Sequence, residues 1–252
     1  MIDVHCHLEQ EDYNQDREEV IRELKKSLKA VITSCAHYND LEKTMNIVKK
    51  YKGFVFCCLG LHPEYIKDLN DERKKDYIQQ IINNKSKISA IGEIGLDYFW
   101  IKETEWQEKQ KKMFIEFINL AKELDLPIVI HSRDAMNDTL NILEKEGMIG
   151  KKVMLHLFTD KDNLQRVITN KWSISIGPLI IKNKQLRKIA RDCPLSQIML
   201  ETDSPWFGDG KRGLPTNTIK VCEKIAEIKK ISKEEVERQT DENCLNFFEL
   251  KK

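Results

Sequence analysis

Short apolar runs alternate with long Lys/Glu-rich amphipathic stretches along this whole chain, and no other feature constrains its fold as tightly. Eight runs read as buried strands: MIDVH (1–5), AVITSC (30–35), FVFCCLG (54–60), ISAIGEI (88–94), PIVIH (127–131), KVMLH (152–156), WSISIG (172–177) and QIMLET (197–202). Helical periodicity fills 16–27, 40–50, 72–84, 104–124, 135–146, 160–170 and 183–191. The stretch 216–250 reads as a helix closing a barrel with one or two short helices after it. The strands are apolar almost throughout, as in a parallel sheet covered on both faces. Eight strands, seven crossovers and a closing helix make a TIM (β/α)8 barrel, and the 252 residues match that fold's usual size. A doubly wound open sheet and a seven-stranded distorted barrel share the alternation, but no GxGxxG or Walker-type loop follows any strand. No linker or repeat divides the chain, so a single domain over 1–252 is expected.

Charge and cysteine usage narrow the functional classes. Lys plus Arg (42) nearly cancel Asp plus Glu (41), so no global positive field draws in nucleic acid, and any such contact has to be local. No apolar stretch approaches the roughly 18 residues of a membrane span, and no cationic start precedes an apolar run. A cytoplasmic protein without a membrane partner is expected, with a monomer as the default state. The seven cysteines contain no Cys-x-x-Cys pair and lie in apolar segments, which suits small buried side chains in a reducing compartment.

In such a barrel, chemistry sits at the C-terminal ends of the strands. All six histidines fall there: His5 and His7 at strand 1, His37 after strand 2, His62 after strand 3, His131 on strand 5 and His156 on strand 6. Glu93 ends strand 4 and Asp203 follows strand 8. His5 and His7 are two apart and share one side of an extended strand. That spacing alone is as often structural as metal-binding, but donors from four other strand ends on the same rim tip the balance. Four imidazoles and two carboxylates at one point need cations to organise them. Two divalent metal ions are therefore expected, held by His5, His7, Glu93, His131, His156 and Asp203. The mixed N/O donor set favours zinc and leaves manganese and magnesium open. The expected division places His5, His7 and Asp203 on one ion and His131 and His156 on the other, with Glu93 bridging. A hydroxide between the ions would be the nucleophile, since coordination lowers the pKa of water to about 7. Asp203 would also accept a proton, so Asp203 and Glu93 are the catalytic candidates.

Several neighbours have two readings each. Asp3 and Glu201 precede ligands by two residues and could accept an imidazole N–H behind the metals, or form an ion pair inside the barrel. Arg133 follows His131 by two and could clamp a phosphate, or pair with Asp134. His62 could reach the leaving group or the scissile phosphate, or pack on Pro63. His37 reads as a loop histidine. Tyr98, Phe99, Trp100, Trp206 and Phe207 could stack on bases or cap the barrel. Lys211 and Arg212 add positive charge near Asp203, or form a solvated loop.

The motifs DVHCHL (3–8), GLHP (60–63), GEIGLDY (92–98), PIVIHSRDA (127–135), VMLH (153–156) and LETDSP (200–205), with SKEEVERQTDENCLNFF (232–248) at the end, closely resemble the TatD family of metal-dependent hydrolases, the TatD-type deoxyribonucleases of the amidohydrolase superfamily. The resemblance implies a TIM barrel, divalent metals and hydrolysis of phosphodiesters in DNA, often from a 3′ end, with single strands or 3′ ends as substrate. It carries the metal ligands onto the same six residues. The chain departs from the family pattern at Leu157, where many relatives have Cys, and in the compact loop after Asp203. The competing function is an amidohydrolase or a lactonase or phosphotriesterase-like hydrolase of a small-molecule C–N or C–O bond. A scaffold that binds without turnover is a third, which the intact ligand set argues against. Phosphate recognition through Arg133 and Lys211 separates the first two.

Overall fold

The computed structural model describes residues 1–35, 37–68 and 70–250. Its strands are β1 (Ile2–Cys6), β2 (Ala30–Cys35), β3 (Val55–Leu59), β4 (Ala90–Asp97), β5 (Ile128–Arg133), β6 (Val153–Leu155), β7 (Ser173–Ile176) and β8 (Ile198–Leu200). They form one parallel sheet in sequential order. The Asp203 N–H donates to the His5 carbonyl at 2.9 Å, and the His7 N–H donates to the Ser204 carbonyl at 2.8 Å, which brings the end of the sheet back to its start. The result is a nearly closed TIM barrel. Around it lie α1 (Arg17–Ser27), α2 (Leu41–Lys50), α3 (Asp71–Asn83), α4 (Thr104–Leu124), α5 (Met136–Lys145), α6 (Leu164–Thr169), α7 (Lys184–Asp192) and α8 (Thr218–Lys229). No helix among the described residues is long and apolar enough to cross a membrane.

Period-two alternation sorts the strand residues into two apolar sets. Val31, Val55, Cys57, Leu59, Ile91, Ile94, Ile128 and Ile130 pack with the helices. Ile2, Val4, Ala30, Ile32, Cys58, Ala90, Val129, Met154 and Met199 pack with one another inside the barrel. The alternation slips at two places, between Asp3 and Cys6 on β1 and between Ile91 and Ile94 on β4. These irregularities fall at His5 and Glu93. Bulges beside active sites commonly re-aim a side chain, and here they let His5 follow Val4, and Glu93 follow Gly92, into the interior.

Strand ends differ from the expected ones in ways that matter. β4 runs to Asp97 rather than stopping at residue 94, and β5 runs to Arg133, because the two remain paired through Gly95 with His131 and Asp97 with Arg133. β6 and β8 are shorter, so His156 lies just beyond its strand rather than on it, and Asp203 lies farther past β8. Leu157 (φ 44°) and Asp203 (φ 53°) turn the chain there through left-handed conformations that cost a non-glycine residue on the order of 1–3 kcal/mol. Gly95 adopts φ +144°, and a β-carbon at that position would lie 2.0 Å from the His131 carbonyl oxygen. Gly95→Ala is therefore expected to lower unfolding free energy by about 3 kcal/mol or more, read by urea denaturation of the metal-free protein.

The tail is also more than one or two short helices. α9 (Lys233–Phe248) spans 16 residues, starting where the Ser232 side chain accepts the Glu235 N–H at 3.1 Å. Its Cys244, Phe247 and Phe248 join the interior cluster and stop the barrel at the end away from the histidines. Each buried Phe contributes about 2–3 kcal/mol. The 160–170 helix shortens to α6 because Asp160 Oδ1 accepts the Asp162 and Asn163 N–H groups in a turn.

Candidate metal centre

Six side chains from five strand ends meet at the open end of the barrel. His5 Nε2 lies 3.2 Å from His7 Nε2 and 3.3 Å from Glu93 Oε2. Asp203 Oδ1 completes this group at 3.2 Å from His7 Nε2 and 3.6 Å from His5 Nε2. The other Glu93 oxygen, Oε1, faces a second group, 2.9 Å from His131 Nδ1 and 2.8 Å from His156 Nε2. Those two ring nitrogens are themselves 3.3 Å apart. The first group is almost sealed, with His5 at 0%, His7 at 2% and Glu93 at 2% exposure, whereas His131 is partly open to a cleft of about 360 Å³.

The outer ring nitrogens show what such a set can hold. His7 Nδ1 rests on Glu9 Oε1 at 3.3 Å, His131 Nε2 on Asp97 Oδ2 at 2.9 Å, and His156 Nδ1 lies 3.4 Å from Glu201 Oε2. A carboxylate oxygen facing a neutral ring accepts its proton, which places the ring proton of His7 and His131 on these outer nitrogens. In neutral rings the inner nitrogens present lone pairs to one another at 3.2 and 3.3 Å, a repulsive arrangement that a proton or a cation between them makes attractive. His156 Nδ1 and Glu201 Oε2 are buried without a well-aligned bond. The donors present fit divalent cations.

A model of the TatD-related DNase family matches residues 2–249. The chain belongs to that family. It is 37% identical over 260 residues to human deoxyribonuclease TATDN3, covering 98% of this chain and 94% of the relative. It is 33% identical over 258 residues to the uncharacterized metal-dependent hydrolase YabD of Bacillus subtilis, covering 99% of both. The crystal structure of YJJV, a TatD homolog from Escherichia coli, superposes with a TM-score of 0.90 at 23% identity, covering 100% of this chain and 98% of that one. The dihydroorotase of Campylobacter jejuni aligns at 16% identity and a TM-score of 0.58, over 100% of this chain and 83% of that one, and shares the fold alone. The protein is thus a TatD-type metal-dependent hydrolase.

Charge in this TatD centre is balanced locally. Burial would raise Glu93, but the imidazoles of His156, His62 and His5 and the bond to His131 outweigh it and hold the carboxyl well below its ordinary value. Asp203 is lowered in the same way, burial being overcome by the bond to His7 and by the neighbouring imidazoles. Burial works against charge on His7 and His156 too, yet Asp203 and Glu9 raise the first well above the usual imidazole value, and Glu93 and Glu201 the second. His62 is the opposite case: burial and His131 push it down to about 3, so it is neutral.

The neighbours divide. Glu201 Oε2 stands 3.4 Å behind His156 Nδ1, and Oε1 accepts the Leu157 N–H at 2.6 Å. Asp3 corrects its expectation: it touches no imidazole, and accepts the His5 and Thr202 N–H groups at 3.2 and 3.1 Å and the Thr202 hydroxyl at 2.6 Å, tying β1 to the segment after β8. Arg133 makes no ion pair among the described residues, with Asp134 or any other acid, and lies 3.8 Å over the Phe99 ring. His62 lines the cleft rather than packing on Pro63 alone. His37 accepts the Asn39 N–H in a short turn. Arg212 faces away, bonded to Asp16 Oδ1 at 2.8 Å and the Asp12 carbonyl at 2.6 Å, and Lys211 is not among the residues lining the cleft. Trp206 and Phe207 line it and stay 47% and 38% exposed.

Sequence reasoning missed Glu9, Ser34 and Asp97. Ser34 Oγ lies 3.2 Å from His5 Nδ1, the remaining outer nitrogen. The signal was present for two of them, since Glu9 continues the alternation 5, 7, 9 past the end of β1 and Asp97 continues 93, 95, 97 on β4.

Proposed function

We propose that two divalent cations occupy this centre and that the protein hydrolyses phosphodiester bonds in DNA, working on unpaired strands at their ends. His5, His7 and Asp203 would hold one ion, His131 and His156 the other, with Glu93 shared. The observation that carries this reading is the division of Glu93, whose two oxygens face two separate nitrogen groups. Zinc, manganese or magnesium bound there would supply Lewis acidity, activating water and neutralising charge on the attacking and leaving oxygens.

The chain's own groups do the rest. Asp203 turns Oδ1 to His5 and His7 and lines the cleft, an ionised carboxylate able to take a proton from attacking water. His62 Nδ1 accepts the Glu64 N–H at 3.2 Å, so its proton sits on Nε2, 3.6 Å from Glu93 Oε1. It serves as a neutral donor to a non-bridging phosphate oxygen. The Arg133 guanidinium, 3.8 Å over the Phe99 ring, offers two parallel N–H groups to the same phosphate. Trp206, Phe207, Leu157 and Leu179 form an apolar wall on which a base stacks. A cleft of about 360 Å³ is at the small end of ligand sites and takes one nucleotide rather than a duplex.

The test presents metal-loaded protein with single-stranded, duplex and RNA oligonucleotides, a phosphotriester, a lactone and a cyclic amide. Shortening of single-stranded DNA from an end is expected; turnover of the lactone or amide with no attack on any diester would overturn the reading. Arg133→Ala should lower kcat/KM on the oligonucleotide about 30- to 160-fold, corresponding to about 2–3 kcal/mol for a charge-assisted bidentate contact. An unchanged value removes Arg133 from the substrate.

A further inference from the structure

We propose that Asp97, at the end of β4, is the positioning residue that sets the tautomer of His131 and so aims its Nδ1 lone pair at the second cation. The inference rests on the two-ion reading for its functional consequence, though not for the tautomer itself. Asp97 Oδ2 accepts from His131 Nε2 at 2.9 Å, and Oδ1 accepts the Trp100 N–H at 2.8 Å. The carboxylate is therefore clamped at both oxygens, with one oxygen for each donor. Its own backbone is held just as firmly. Gln110 of α4, fully buried, accepts the Asp97 N–H at 3.1 Å through Oε1 and donates through Nε2 to the carbonyls of Asp97 and Pro63 at 3.3 and 2.9 Å. The residue after His62 and the residue behind His131 are thereby fixed to one amide.

His62, Asp97 and His131 also lie close enough to share a cation. Hydrogen bonding argues against that use. His131 Nε2 is already committed to Asp97, and His62 spends its lone pair on the Glu64 N–H. What remains on His131 is Nδ1, which points at Glu93 Oε1 and His156 Nε2. The backing carboxylate thus decides which nitrogen is free.

Asp97→Asn separates this role from mere packing, because the amide is nearly the same shape with opposite polarity at one atom. Its oxygen has to face the Trp100 N–H, since the reverse flip sets donor against donor. Its NH2 group then donates to His131 Nε2, the ring proton moves to Nδ1, and the lone pair toward the cation is lost. Asp97→Ala instead leaves the tautomer free to choose but opens a hole and releases the Trp100 N–H. A packing role ranks Ala as the more damaging change; the tautomer role ranks Asn worse.

The readouts are long-range proton–nitrogen spectra of metal-free protein above the pH at which His131 loses its second proton, and calorimetric titration with Mn²⁺. Wild-type His131 is expected to carry its proton on Nε2, and the Asn variant on Nδ1. Affinity at the second Mn²⁺ site should fall at least about 100-fold in Asp97→Asn and about tenfold in Asp97→Ala. A wild-type His131 protonated at Nδ1, or an Ala variant as impaired as Asn, overturns the proposal. Binding of a single Mn²⁺ by the wild type would instead defeat the two-ion reading, and the spectra would still decide the part assigned to Asp97.

Discussion

Glu93→Gln is expected to reduce hydrolysis about 10⁴-fold or more while leaving the barrel folded. The carboxylate serves two nitrogen groups with two oxygens, and a glutamine has a single oxygen to give. Whichever group receives the NH2 meets a donor where it presents lone pairs, and the negative charge that both groups share disappears. A 10⁴-fold loss corresponds to about 5.5 kcal/mol, within the several kcal/mol that a metal ion contributes at a transition state. The bound metal should drop from about two ions per chain to one, measured by elemental analysis beside single-turnover kinetics. The metal-free variant should unfold within a few degrees of wild type, since His131 and His156 can shed protons rather than remain as unpaired charges. Turnover above about a tenth of wild type would show that Glu93 does not link the two groups.

How much of this was legible before the structure depends on what kind of regularity encodes it. The barrel and the six inward donors follow from counting: apolar runs fix the strands, and the strand ends fix the rim. The two bulges leave no such trace, because a period-two pattern cannot show where one strand gains a residue against its neighbour. His5 and Glu93 reach the interior through those bulges, so their convergence was expected for a simpler reason than the one that produces it. Asp97 was overlooked because β4 continues only where β5 continues beside it, a property of the pair rather than of GEIGLD itself. Asp3 looked like an imidazole partner by spacing, yet the β1–β8 seam needed its acceptors more. Gln110 sits six residues into α4 and reaches 47 residues back to Pro63, a contact no local pattern encodes.

Stripping the metal by chelation should abolish hydrolysis, with recovery on adding back a divalent ion, and should also make stability depend on pH where the loaded form does not. Free metal at about a thousand times Kd stabilises the fold by about 4 kcal/mol. At about 2–4 °C per kcal/mol for a protein of this size, the loaded form should melt about 8–16 °C higher. Without metal, His7 and His156 hold protons well above the ordinary imidazole value, because their carboxylate partners overcome burial. A group raised in the folded state stabilises fully below its unfolded value and loses that contribution as pH climbs through the folded one. The stripped protein should therefore weaken from neutral toward alkaline pH. The loaded protein should stay nearly level over the same range, since its imidazoles are deprotonated on the cations and the unfolded ones, with an ordinary value of about 6.5, are deprotonated too. Glu93 and Asp203, both lowered, are ionised throughout that window and cancel from the comparison. The gap between the two melting temperatures should thus widen as pH rises, and calorimetric titration should detect proton release as a buffer-dependent heat. A gap that narrows, or a binding heat indifferent to the buffer, would mean that the cations do not take the place of protons on these histidines.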